Sequence, residues 1–105
     1  MARDKYQTLT EQMFYILICL EDECCGVDIM KMVSQLTNGR VLIGPGTLYS
    51  LLDNFVKDDI IAETKVESRK KIYIITDIGK EKLEKEYNRL TILKSDYETL
   101  IKGAK

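Results

Sequence analysis

The sequence predicts a mostly helical α+β fold: a small helical body, a two-stranded hairpin and one long closing helix. Three observations predict it. Apolar residues recur at three- and four-residue spacing through the first half of the chain. Two short runs rich in branched residues follow, Ile60 to Val66 and Lys71 to Ile75. From Thr76 onward, apolar residues are spread between charges of both signs at helical spacing. A length of 105 residues supports one domain with a modest core.

The elements follow in order. Thr8, Leu9, Thr10 and Glu11 fit a capping box with Thr8 as N-cap, launching a first helix to about Asp22. Its apolar residues Met13, Phe14, Ile16, Leu17, Ile18 and Leu20 cover more than one stripe, which predicts burial against both its own domain and a partner. Gly26 opens a second helix carrying Val27, Ile29, Met30, Val33 and Leu36, and Asn38 with Gly39 supplies a left-handed stop. Arg40, Val41, Leu42 and Ile43 read as a brief extended stretch, the minimal strand of the set. Gly44 then suits an N-cap and Pro45 the first helical position, where a missing N–H costs nothing. In this third helix Leu48, Leu51, Leu52, Phe55 and Val56 form the inward stripe, leaving Thr47, Tyr49, Ser50, Asp53, Asn54 and Lys57 outside. Asp58 and Asp59 end it. The two strands are joined by Glu67, Ser68, Arg69 and Lys70, a basic tip, and Thr76 with Asp77 caps the last helix. There the steps Leu83, Tyr87, Leu90, Tyr97 and Ile101 approximate a heptad seam broken by Lys94, with Leu93 and Leu100 beside it. The preceding body is too small to cover so long a helix, so self-association is expected.

Composition excludes several classes. Sixteen basic and seventeen acidic residues leave a net charge of -1, so any electrostatic site must be local. The longest apolar run, Met13 to Leu20, has eight residues against the roughly 20 that span a bilayer. The N-terminus lacks the apolar region of a secretory signal, which predicts a cytoplasmic protein with its three cysteines, Cys19, Cys24 and Cys25, reduced. With no histidine, a structural zinc site would need four thiolates or added carboxylates. No metal site and no cofactor are expected. Acidic neighbours of Cys24 and Cys25 argue against low-pKa sensor thiols. An enzyme is not expected either, since no histidine, phosphate-binding glycine loop or paired carboxylates are present.

Three short helices, a minimal strand, a hairpin and a further helix form the order of a winged helix-turn-helix, here with a long C-terminal dimerisation helix. The division expected is a DNA-binding unit over 1–76 and a dimerisation helix over 77–105. In such a unit the third helix enters the major groove and the wing reaches the flanking backbone. Gly46, Thr47 and Tyr49 stand at the start of that helix, where free backbone N–H groups favour a phosphate. Ser50 and Asn54 share the outward face and can donate to phosphates or base edges. The wing from Glu63 to Tyr73 carries four basic residues, among them Arg69, Lys70 and Lys71, against two acidic ones. Arg3 and Lys5 could add contacts from the N-terminal arm, against the simpler reading of a solvated terminus.

From Leu9 to Leu100 the chain resembles the PadR family of bacterial transcriptional regulators, through GVDIMKMV, GPGTLYSLLDNF, RKKIYIITDIGKEKL and the long terminal helix. The resemblance implies that GTLY begins the recognition helix, that Tyr49 meets the DNA backbone, and that Arg69, Lys70 and Lys71 are the basic wing tip. Ser50 stands where relatives commonly have Pro. It also implies a homodimer, formed by the terminal helix on the partner's first helix, that represses from a palindromic double-stranded operator. The short C-terminal helix is similar to that of a compact subfamily whose dimers enclose a cavity for small hydrophobic or aromatic inducers. Met13, Phe14, Leu17, Leu93 and Tyr97 could line such a cavity or form a dry dimer core. The competing functional reading is a winged-helix protein-interaction module without useful DNA affinity, which the balanced charge favours.

Overall fold

In the computed structural model, which describes residues 6–103, seven elements follow one another. They are α1 (Glu11–Cys19), β1 (Cys24–Cys25), α2 (Gly26–Leu36), α3 (Pro45–Lys57), β2 (Ile61–Glu67), β3 (Lys70–Ile75) and α4 (Asp77–Leu100). Arg3 and Lys5 lie outside the described residues.

α1 starts two residues later than the capping box predicts. Thr10, not Thr8, is the N-cap, and its side chain accepts the N–H of Met13. Two long-range contacts accompany the shift. The N–H of Leu9 is engaged by the Glu86 carboxylate, and Glu11, instead of folding back, pairs with Arg40 at 2.6 Å. The helix also ends at Cys19 rather than near Asp22, because the N–H groups of Leu20 and Glu21 turn back to Leu17 and Ile18 and the Leu20 carbonyl accepts from Ile75. Local propensity gave way to tertiary hydrogen bonding.

α2 and α3 follow the sequence closely. Thr37 closes α2, with Asn38 and Gly39 both at positive φ, the left-handed exit that asparagine and glycine tolerate best. Pro45 sits in the first turn of α3 behind Gly44, and Asp59 leaves that helix at φ +61. The stretch 40–43 forms no strand. The minimal strand is instead β1, Cys24–Cys25, which pairs antiparallel with β3 at the edge of a sheet ordered β1-β3-β2. Two residues show no alternation, so only their pairing with Tyr73 and Ile72 reveals them.

β2 and β3 form the wing. Their register shifts between Glu63 and Lys65, and Glu67 faces Lys70 across a two-residue turn. Ser68 and Arg69 in that turn have φ +50 and +66, the double left-handed conformation that favours Asn-Gly in tight hairpins.

The core is built from Ile16, Leu17 and Leu20 of α1 with its exit, Ile29 and Val33 of α2, Leu48, Leu52 and Phe55 of α3, and Ile60 and Ile61 entering the sheet. Each such side chain contributes about 1.5–3 kcal/mol of transfer free energy. Leu51 is only half-buried and Val56 is exposed, so the inward stripe of α3 is narrower than the sequence predicts. α4 docks by its first turn. The Thr76 hydroxyl accepts the N–H of Gly79 and lies 2.9 Å from the Ile60 carbonyl oxygen. A Cβ on Gly79 would collide with that carbonyl and come within 2.7 Å of Ile75 Cγ1. Two turns further on, Glu86 is buried; the Arg89 guanidinium donates to both its oxygens, which holds the carboxyl below its ordinary range, and the Leu9 N–H adds a third bond.

Candidate nucleic-acid interface

The outer face of α3 follows from its inner one. With Leu48, Leu52 and Phe55 fixed in the core, Gly46, Thr47, Tyr49, Ser50, Asp53 and Asn54 are forced to the opposite side, and all are exposed. Gly46 and Thr47 stand in the first turn, where backbone N–H groups lack a helical partner, and the N-cap Gly44 offers no side chain to take them.

Tyr49 is half-seated. Its ring rests on the first residue of α2, where a Cβ on Gly26 would lie 2.7 Å from both Tyr49 Cε1 and Oη. Only a residue without a side chain leaves the ring this place, and the sequence reading recognised Gly26 only as a helix start. The remaining 41% exposure keeps the ring accessible from outside.

The wing tip comes to the same place. Tyr49, Asp53, Arg69, Lys70, Lys71 and Tyr73 line one open cleft of about 380 Å³, with Cys25 to Val27 as its floor. Lys71 is partly neutralised by Glu63 at 3.9 Å, whereas Arg69 and Lys70 have no acidic ion-pair partner among the described residues. Burial, and then the charges of Glu63 and Asp53, push the Tyr73 phenol up, so it stays a neutral hydrogen-bonding group. Gly46, Thr47, Ser50 and Asn54 lie outside this cleft, elsewhere on the exposed face of α3. Tyr73 and the seat at Gly26 were not singled out from the sequence, because one depends on the strand pairing of β1 with β3 and the other on α3 crossing the start of α2.

The arrangement is a polar helix face beside a basic hairpin tip, and comparison with known proteins gives it a lineage. The profile of the PadR-like family of transcriptional regulators matches residues 16–85. The chain belongs to that family. A PadR-like transcriptional regulator from Bacillus cereus is 26% identical, with a TM-score of 0.69 over 87% of this chain and 91% of its own. A transcriptional regulator from Clostridium thermocellum shares the fold at 24% identity and a TM-score of 0.74, over 84% of this chain and 90% of its own. A further structure, from Thermoplasma acidophilum, shares it at 22% identity and a TM-score of 0.65, over 88% of this chain and 90% of its own. No curated protein sequence matches the chain. PadR-like regulators are DNA-binding transcriptional regulators and not enzymes, and the three-stranded sheet and helices here form their winged helix. No helix among the described residues is long and apolar enough to cross a membrane.

The apolar residues assigned to a cavity or dimer core in this PadR-like chain divide into three groups. Leu17 is fully buried in the protomer's own core and lines no surface, a correction that follows from the three-helix packing. Met13 and Phe14 are half-buried against that core. Phe14 stands between two clefts at the α1–α4 junction, one shared with Ile18, Leu83 and Tyr87, the other with Leu9, Glu86 and Leu90. Leu93 and Tyr97 lie further along α4, exposed, and line neither cleft. Leu83 packs partly on the core, while Tyr87, Leu90, Leu100 and Ile101 remain exposed.

Proposed function

We propose that the chain is a homodimeric repressor acting in the cytoplasm on a palindromic double-stranded operator. Each protomer's α3 enters a major groove and each wing contacts the flanking backbone. The observation that carries this reading is the convergence of Tyr49 with Arg69, Lys70 and Lys71 around one open cleft. A seated tyrosine hydroxyl and two unpaired cations supply the fixed donors that phosphate recognition needs. The N–H groups of Gly46 and Thr47 add an anion site at the helix start, and Ser50 and Asn54 are the candidates for base edges.

The dimer reading rests on α4. Tyr87, Leu90, Leu93, Tyr97, Leu100 and Ile101 expose an apolar seam that a second copy would cover, with α4 as the core of the 77–105 dimerisation segment. The partner's α1, carrying Phe14 and Ile18, is the surface it packs on. The cleft beside Phe14 and Tyr87, about 470 Å³, is of a size to admit a small hydrophobic or aromatic ligand that would release the operator.

The test is the salt dependence of DNA binding. Arg69→Ala with Lys70→Ala removes two phosphate contacts, so affinity should fall and the slope of log K against log salt should flatten by about 1.8. An unchanged affinity and slope would take the wing out of the interface. Absence of any complex at low salt would favour the protein-interaction module instead.

A further inference from the structure

One side chain in the cleft between α3 and the wing runs against its surroundings. Among the described residues that line it, Asp53 is the single acid beside three cations, Arg69, Lys70 and Lys71. Its carboxylate nevertheless has no hydrogen-bond or ion-pair partner among the described residues. Lys71 pairs with Glu63 instead, and no ion pair joins Asp53 to Lys57, one turn along α3. Asp53 is exposed, and its charge acts on the Tyr73 phenol across the cleft.

Helix geometry sets where this carboxylate stands. At about 100° per residue, Asp53 lies about 45° from the line opposite Leu48, Leu52 and Phe55, close to the offset of Asn54 and well inside the roughly 85° of Tyr49. It belongs to the most outward strip of the recognition helix. An anion there meets a polyanion, and set against phosphate it is repelled. The base edges of the major groove offer it donors. Guanine and thymine present acceptors, adenine sets an N7 acceptor beside its N6 amino group, and cytosine presents its N4 amino group without one.

We infer that Asp53 is a specificity-determining residue that accepts a hydrogen bond from the exocyclic amino group of cytosine at one base pair of each half-site. This role rests on the operator reading above, in which Tyr49 and the wing cations hold the backbone. The same cations offset the repulsion between Asp53 and the flanking phosphates, so the carboxylate discriminates between bases without excluding DNA.

The test is in vitro selection from a randomised duplex with the full chain and with its Asp53→Asn and Asp53→Ala variants. Affinities are then measured on the parent's selected site and on its single-base-pair substitutions. Both variants change an exposed helical position and should keep the fold, which circular dichroism checks. The parent should enrich cytosine at one position of each half-site, and replacing it should weaken binding about 5- to 150-fold, the span of one mismatched base pair. Asp53→Ala should cut that penalty to within about twofold, the scatter of independent sites. Asp53→Asn should move the preference at the same position to adenine, whose N6 and N7 suit an amide. Base preferences that match the parent's at every position in both variants would overturn the assignment and leave the operator reading standing. A loss of affinity shared equally by all sequences would overturn it too, since that marks a carboxylate that only orients the wing cations. A parent that enriches no sequence would overturn the operator reading itself, and the role of Asp53 with it.

Discussion

Gly26→Ala tests how the fold holds Tyr49 at the interface. An added Cβ would sit 2.7 Å from Tyr49 Cε1 and Oη and 2.8 Å from Cζ, inside any tolerated contact. The atoms it meets are the far end of a side chain that is 41% exposed, so the ring can swing outward instead of forcing the backbone apart. The cost therefore falls near the low end of the overpacking range, about 1 kcal/mol. With Tyr49→Ala already in place the collision is gone, and alanine should then be neutral or should stabilise by up to about 1 kcal/mol, through lower chain entropy in the unfolded state. The two substitutions should thus couple by about 1–2 kcal/mol, which a double-mutant cycle resolves. Urea unfolding of the four proteins at one fixed protomer concentration measures it, with equal m-values as the check on two-state behaviour. DNA affinity should fall by about tenfold in Gly26→Ala, the worth of one hydrogen bond to a charged group. Equal destabilisation in both backgrounds would refute the claim that Gly26 seats the ring.

Three other perturbations probe separate parts of the account. Gly79→Ala drives a Cβ against the Ile60 backbone, which cannot rotate away as a side chain can, so thermal unfolding should show a loss of about 1–3 kcal/mol. Glu86→Gln should remove an acid-limb dependence of stability. The carboxyl's folded pKa lies below its ordinary 4.5, so its contribution is complete above that value and is lost as pH falls through the lower one. The parent should lose stability below about pH 4.5 more steeply than the variant; parallel curves would exclude Glu86 as the source. Arg69→Gly should separate stability from binding. Relief of a left-handed residue at φ +66 should stabilise the hairpin by about 1 kcal/mol in urea unfolding, while loss of the guanidinium weakens DNA binding.

What could be read from the sequence was local chemistry. Gly44 and Pro45 start α3, Asn38 and Gly39 stop α2, and Thr76 caps α4, each because a backbone group or conformation at that position has few residue types that suit it. The exposed face bearing Tyr49, Ser50 and Asn54 was equally legible, since it is the complement of a strong apolar stripe. What stayed hidden depends on residues far apart in the chain. Thr10 displaces Thr8 as a cap where Arg40, 29 residues from Glu11, takes the carboxylate that a capping box would fold back, and where Glu86, 77 residues from Leu9, engages the Leu9 N–H. Cys24 and Cys25 become a strand only through β3, and Gly26 becomes a seat only because α3 crosses it. Leu17 reads as a cavity or dimer-core residue on a helix with more than one apolar stripe, and the structure buries it in the protomer's own core.

The proposed dimer has each α4 pack on the partner's α1 so that two α3 helices face one duplex in register. Hydroxyl-radical footprinting on a duplex selected in vitro for binding tests it most directly, with stoichiometry read from the same complexes. The account predicts two protected patches related by a dyad and centred about one helical turn apart, with two protomers bound per duplex. A single protected patch, one protomer per duplex, or protection without dyad symmetry would contradict it.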